Sequence, residues 1–151
     1  MNRRTLLLVA PMLLISCAEK PPPPATLDLV IKCAPDQNPD NAGQPAPVAI
    51  KLFFLTASAK FERADVFALT ERERATLGED TAGSEEFVLR PGETRDIARK
   101  PKSGVQFLGV AVLFRDIDHA GWRAVQPVAA SGPTKLQLDI KGIRATLAPM
   151  K

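Results

Sequence analysis

Side chains able to do chemistry are thinly spread along these 151 residues, which hold one histidine, two cysteines, one tryptophan and no tyrosine. His119 lies in the stretch Arg115 to Gly121 (RDIDHAG), beside Asp116 and Asp118. As a general base it would need a nucleophile within hydrogen-bond reach and a third group to orient it. Ser103 and Ser131 are the serines to consider, and neither stands in the strained Gly-x-Ser-x-Gly turn that exposes a nucleophile. As metal ligands, Asp116, Asp118 and His119 offer three donors from one short connection and no fourth. Glu85 and Glu86 are neighbouring carboxylates where a strand begins, but adjacent strand residues point to opposite faces, so the pair cannot flank one glycosidic bond. All are read as solvated surface. The chain is expected not to be an enzyme and to carry no metal and no cofactor.

Cys17 is different because of what precedes it. Arg3 and Arg4 lead into the apolar run Thr5 to Ile15 (TLLLVAPMLLI), which is too short to span a bilayer as a helix and has the form of a secretory signal. Leu14-Ile15-Ser16-Cys17 then resembles the bacterial lipobox, whose cysteine is acylated after the preceding peptide is removed. Each buried methylene of an acyl chain adds about 0.8 kcal/mol, so several chains on Cys17 anchor a protein to a membrane almost permanently. Residues 1–16 are therefore expected to be a lipoprotein signal peptide and Cys17 the lipid attachment site. Ala18 in place of Asp implies, by resemblance to Gram-negative lipoproteins, sorting to the outer membrane. Cys33 shares the alternation of Leu27, Leu29 and Ile31 and is read as a small buried hydrophobe.

The elements follow from composition and period. Hydrophobic residues make up 45% and charged residues 25% of the chain, which excludes a wholly disordered protein. Loss of Arg3 and Arg4 leaves 18 basic against 17 acidic side chains, too even a balance for a polycationic nucleic-acid binder. Residues 17–25, with four consecutive prolines, form an extended tether, and 26–151 is one domain. Period-two alternation predicts strands over Thr26 to Cys33 and Val48 to Leu55. Further strands are expected at Glu86 to Arg90, Thr94 to Arg99, Val105 to Phe114, Trp122 to Val128, Lys135 to Ile140 and Ile143 to Leu147. The period lengthens over Phe61 to Leu69, predicting a short helix, and Thr70-Glu71-Arg72-Glu73 matches a capping box for a second helix ending near Gly78. Glu79 to Glu85 is expected to be a loop. Many short strands and one helical excursion indicate a mainly β fold, a two-sheet β-sandwich. The polar, proline-rich Ala34 to Pro47 is longer than a hairpin turn, and such loops are commonly functional. It is expected to lie outside the core, so that exchanging it for a Gly-Ser linker would leave the thermal transition nearly unchanged.

Several pieces in order resemble one family. They are Asn41 to Val48 running into Ile50 to Leu55, Phe61-Glu-Arg-Ala64-Asp65, Thr76 to Asp80, Leu89 to Glu93, Leu108 to Ala111 with Phe114 to Asp116, and Trp122-Arg123. Together with the lipobox they are similar to TssJ (VasD), the outer-membrane lipoproteins of type VI secretion systems. The resemblance implies a sandwich of transthyretin-like topology with extra helices, facing the periplasm. It also implies binding to the periplasmic carboxy-terminal domain of the inner-membrane protein TssM, with the loop between the first two strands in the contact. Asp36, Gln37, Asn38, Asp40, Asn41 and Gln44 are then the expected partner-binding residues, because their side chains offer donors and acceptors and have no apolar face to hide. No nucleic acid and no small-molecule substrate are expected. The alternative is an envelope lipoprotein with a ligand- or carbohydrate-binding sandwich. Carbohydrate modules present aromatic platforms, however, and this chain offers only Trp122 and seven phenylalanines, most in core phase.

Overall fold

The computed structural model describes residues 16–151; the expected signal segment lies, except for Ser16, outside the described residues. Eight strands build two four-stranded sheets. Strands β1 (Thr26–Cys33), β4 (Thr94–Arg99), β7 (Pro133–Lys141) and β8 (Arg144–Pro149) form one sheet in the order β4-β1-β7-β8. Strands β2 (Val48–Leu55), β3 (Thr81–Leu89), β5 (Phe107–Leu113) and β6 (Arg123–Pro127) form the other in the order β3-β2-β5-β6. Among the described strands β1 and β7 pair in parallel and the other ladders are antiparallel. Three short helices, α1 (Ala59–Arg63), α2 (Val66–Glu71) and α3 (Glu73–Leu77), are inserted between β2 and β3.

Alternation determines what each strand buries. Leu27, Leu29, Ile31 and Cys33 of β1 face Ile50 and Leu52 of β2 and Leu108, Val110 and Val112 of β5 across the sandwich, and Phe114 closes the same cluster. The opposite phase of β5 is buried too. Ala111, with Phe53 and Leu55 of β2, meets Phe61, Leu69 and Leu77 of the helices in a second cluster on the outer face. β5 is thus covered on both faces, which explains its nearly unbroken apolar run. Gly109 is required here: a Cβ at that position would stand 2.9 Å from the Phe61 ring and 3.0 Å from Leu55.

Polar contacts hold the insertion to its sheet. Lys51 of β2 reaches Glu73 of α3 at 2.8 Å, and the Ser84 hydroxyl donates to the same carboxylate at 3.0 Å. Arg123 stacks on Trp122, 4.5 Å from the ring centroid, and donates at 2.7 Å to the carbonyls of Phe61 and Ala64. Those carbonyls sit at the carboxyl end of α1, where the helix leaves acceptors unpaired. Burial holds the Arg123 pKa below the usual guanidinium value.

Three local expectations are corrected. The helix expected over Phe61 to Leu69 is two helices, because Ala64 is extended and Asp65 accepts from the Ala68 amide at 2.7 Å as the cap of α2. The capping box does not form: the Thr70 hydroxyl donates to the Val66 carbonyl within α2, and Glu73 is drawn to Lys51. The loop expected over Glu79 to Glu85 is a single turn, 78–80, followed by β3 from Thr81. β3 is an edge strand, so its polar half needs no apolar alternation. Glu85, which faces inward there, pairs with Arg99 of β4 at 2.9 Å.

Candidate docking surface at the loop end of the sandwich

β1 leaves the tether and arrives at the Ala34 to Pro47 loop, so tether and loop lie at opposite ends of a strand about 26 Å long. The parallel β7 and the antiparallel β8 carry their connection, 142–143, to the loop end as well. The β5–β6 connection is at the same end, since Arg115 meets the loop there. Three connections therefore converge on one surface, and a fourth, the β3–β4 turn at 90–93, borders it, with the Glu93 carbonyl accepting the Cys33 amide at 2.9 Å.

Asn38 joins the three. Its amide group donates to the Pro47 carbonyl at 2.8 Å, its side-chain oxygen accepts the Arg115 amide at 2.8 Å, and its own backbone amide donates to the Gly142 carbonyl at 2.7 Å. Its φ of 47° is the left-handed conformation that asparagine tolerates better than most side chains. Gln37, beside it, is fully buried and donates to the Leu89 carbonyl at 3.0 Å and toward that of Ala46 at 3.3 Å. The expectation that all six polar residues of the loop present their side chains is thus corrected for Gln37 and Asn38. Both side-chain amides donate to backbone carbonyls that would otherwise be buried unpaired, and Asn38 also accepts, whereas the Gln37 Oε1 is buried without a partner among the described residues. The loop is also part of the folded unit and not a detachable connection, so its exchange for a Gly-Ser linker is not neutral.

The other four residues remain at or near the surface. Asp40 accepts from the amides of Ala42 and Gln44, both at 2.9 Å, which curls the loop tip into an Asx turn. Asp36 accepts from the Gly142 amide at 3.2 Å and spans to the β7–β8 connection. Asn41 and Gln44 are exposed, with side chains that make no hydrogen bond among the described residues. Pro39, Asp40 and Asn41 line one open depression with Arg115, Asp116, His119 and Ile143. The latter four were not marked by the sequence as partners of the loop, because only the fold brings the β5–β6 and β7–β8 connections to it.

Of the residues considered for catalysis, His119 and Asp116 lie in that depression and the serines do not. His119 pairs with Asp116 at 2.7 Å, and the hydrogen bond and charge of Asp116 hold its pKa above the ordinary imidazole value. Ser103 and Ser131 belong to the β4–β5 and β6–β7 connections at the tether end, a strand length away. Among the described residues, no three His, Cys, Asp or Glu side chains converge as a metal site would need. Cys33, the last residue of β1, is buried on the inner face of its sheet, and burial pushes its thiol up to about 11, so it stays protonated at neutral pH. Cys17 is exposed in the segment without regular structure before β1.

A sandwich with a helical insertion and a built loop end can be set beside known proteins. The family described as type VI secretion lipoprotein, VasD, EvfM, TssJ matches residues 25–142. The chain belongs to this family. The TssJ fold is apparent in solved structures also. The type VI lipoprotein TssJ1 from Pseudomonas aeruginosa is 36% identical with a TM-score of 0.83, over 85% of this chain and 98% of that one. A chain of a structure described as a type VI membrane complex is 27% identical with a TM-score of 0.74, over 83% of this chain and 99% of that one. A chain of a structure described as the TssM C-terminal domain from EAEC is 25% identical with a TM-score of 0.69, over 83% and 99%. None of the curated proteins compared with the chain matches it. TssJ-family membership makes the chain a lipoprotein of a secretion system, and the two sheets with their short helical insertion are the fold that family shares.

Proposed function

We propose that the protein is anchored to the outer membrane through acyl chains on Cys17, faces the periplasm, and docks the periplasmic carboxy-terminal domain of a TssM-like inner-membrane protein through its loop end. Residues 1–16 are then removed as signal peptide, 17–25 are the tether, and 26–151 are the docking domain. The observation that carries this reading is the construction of the Ala34 to Pro47 loop. Gln37 and Asn38 fix it to the domain, while Asp36, Asp40, Asn41 and Gln44 are left facing away from the tether. A loop already ordered loses little entropy on binding, and its position opposite the anchor suits a partner reaching across from the other membrane. Family membership and the similarity to a chain of a TssM structure support the choice of partner.

The test is a pull-down of the mature chain with the periplasmic domain of the neighbouring TssM-like protein, comparing wild type with Asn41→Arg/Gln44→Arg. Both side chains are exposed and unbonded, so the variant is expected to keep its urea midpoint and lose at least ten-fold in affinity. Undiminished affinity would move the interface elsewhere, most simply to the helical insertion. Cys17→Ser should abolish palmitate labelling and outer-membrane fractionation.

A further inference from the structure

The tether end carries charge that neither the core nor the loop end uses. The Gly132 amide donates to the Pro23 carbonyl at 3.2 Å and the Thr26 amide to the Gly132 carbonyl at 3.0 Å, so the chain is already fastened to the domain at Pro23. Only residues 17–22 are then free. At full polyproline extension they span about 19 Å, roughly two screening lengths in physiological salt. Whatever lies at this end of the sandwich is therefore held close to the site of acylation.

Register places there the β4–β5 connection with Lys100 and Lys102, and the start of β7 with Lys135: Leu27 stands opposite Arg99, and Thr26 opposite Pro133. Lys20 is in the tether itself, and all four lysines are exposed. Of the acidic groups nearby, Glu85 pairs with Arg99 at 2.9 Å and Asp80 is 3.9 Å from Lys60, while Asp28 lies in register with Lys135 without an ion pair among the described residues. Glu19 and Glu79 are left against Lys20, Lys100 and Lys102, none of which makes an ion pair among the described residues. The loop end also carries exposed cations, Lys32, Arg90, Arg115, Lys141 and Arg144, there interleaved with Asp36, Asp40, Glu93, Asp116 and Asp118. What sets Lys20, Lys100 and Lys102 apart is their place at the end where the tether enters the domain.

We propose that the Lys100–Lys102 turn, with Lys20, is a second contact with the membrane, seated on the anionic phospholipid headgroups of the leaflet that receives the acyl chains. The proposal rests on the anchoring reading above and adds to it an orientation: the domain stands on its tether end and aims its loop end away from the bilayer. A lysine near an anionic surface adds about 1 kcal/mol, about five-fold in partitioning, and the attraction fades with salt.

The test uses the mature chain from residue 17 as Cys17→Ser, without lipid, sedimented with vesicles of phosphatidylethanolamine alone or mixed with phosphatidylglycerol. Binding is expected only to the mixed vesicles and is expected to disappear in 0.5 M salt. Lys100→Glu/Lys102→Glu, two exposed changes, should lower partitioning at least about 25-fold, while the reversal of Lys141 at the other end should not. Equal partitioning of wild type onto both vesicles, or no loss in the double variant, would overturn the proposal. So would retention on purified peptidoglycan in place of vesicles. Failure of the anchoring reading is seen separately, as full-length wild type that takes up no palmitate or is washed from membranes.

Discussion

Replacing Asn38 by alanine tests whether the loop end is one unit. The substitution removes the bond to the Pro47 carbonyl and the bond from the Arg115 amide, both 2.8 Å and both partly buried. At about 1 kcal/mol each, with the partners left short of a bond, that is about 2 kcal/mol. Alanine at φ 47° adds about 1 kcal/mol, because it lacks the short polar side chain whose local hydrogen bonds let asparagine tolerate the left-handed angle. The sum, about 3 kcal/mol, is a large share of the roughly 5–15 kcal/mol by which a domain is stable, and corresponds to a fall of about 10 °C in Tm. Urea titration followed by the fluorescence of Trp122 measures it. Asn38→Gly separates the causes: glycine accepts the backbone angle but forms neither side-chain bond, so it should cost about 2 kcal/mol. A loss below about 1 kcal/mol in the alanine variant would refute the account of Asn38 as the residue that joins three connections. Affinity for the partner should fall in both variants by more than the exposed-residue changes alone would suggest, because the loop loses its fixed shape.

Three other outcomes are expected. Phe114→Ala, which empties a buried position between the sheets, should cost about 3 to 5 kcal/mol in the same titration, and a loss of a few tenths would show that the site collapses or is wet. Gly109→Ala should cost about 1 to 3 kcal/mol, since its methyl group would press on the fully buried Phe61 ring; a neutral result would mean that the insertion rides loosely on its sheet. NMR titration should find the His119 pKa above its ordinary value, and Asp116→Asn should lower it. Because the folded value is raised, the pair favours the native state below the unfolded histidine pKa and this contribution is lost as pH rises through the folded one, so a depressed value would contradict the geometry.

The strands legible in the sequence were those with one dry face. β1, β2 and β5 alternate because each buries Leu, Ile, Val or Phe between sheets, and their boundaries fall within two residues of the pattern. The first half of β3 was illegible because an edge strand can keep polar side chains wet or pair them, as Glu85 does with Arg99. The capping box failed for a tertiary reason: Glu73 gains more from Lys51 than from an amide in its own helix. The loop was legible as a site by its length and composition, but polarity was a poor guide to exposure. Gln37 and Asn38 are polar because they replace water inside the domain, and no local pattern distinguishes them from Asn41 and Gln44, which face outward.

The central place of β1 in its sheet also governs how the chain comes to be folded. It is the first strand made, yet both its neighbours are remote in sequence: β4 begins at Thr94 and β7 at Pro133. A nascent or translocating chain cannot complete this sheet until nearly its whole length is available, because the apolar face of β1 has no ladder to join before then. Long-range pairings of this kind, one of them parallel, make folding slow, on the millisecond-to-second scale of all-β domains. On the anchoring proposed above, such delay would be useful: the segment that emerges first would stay pliable while its amino-terminal end is cleaved and acylated, and the sandwich would close over β1 only after β7 has followed it.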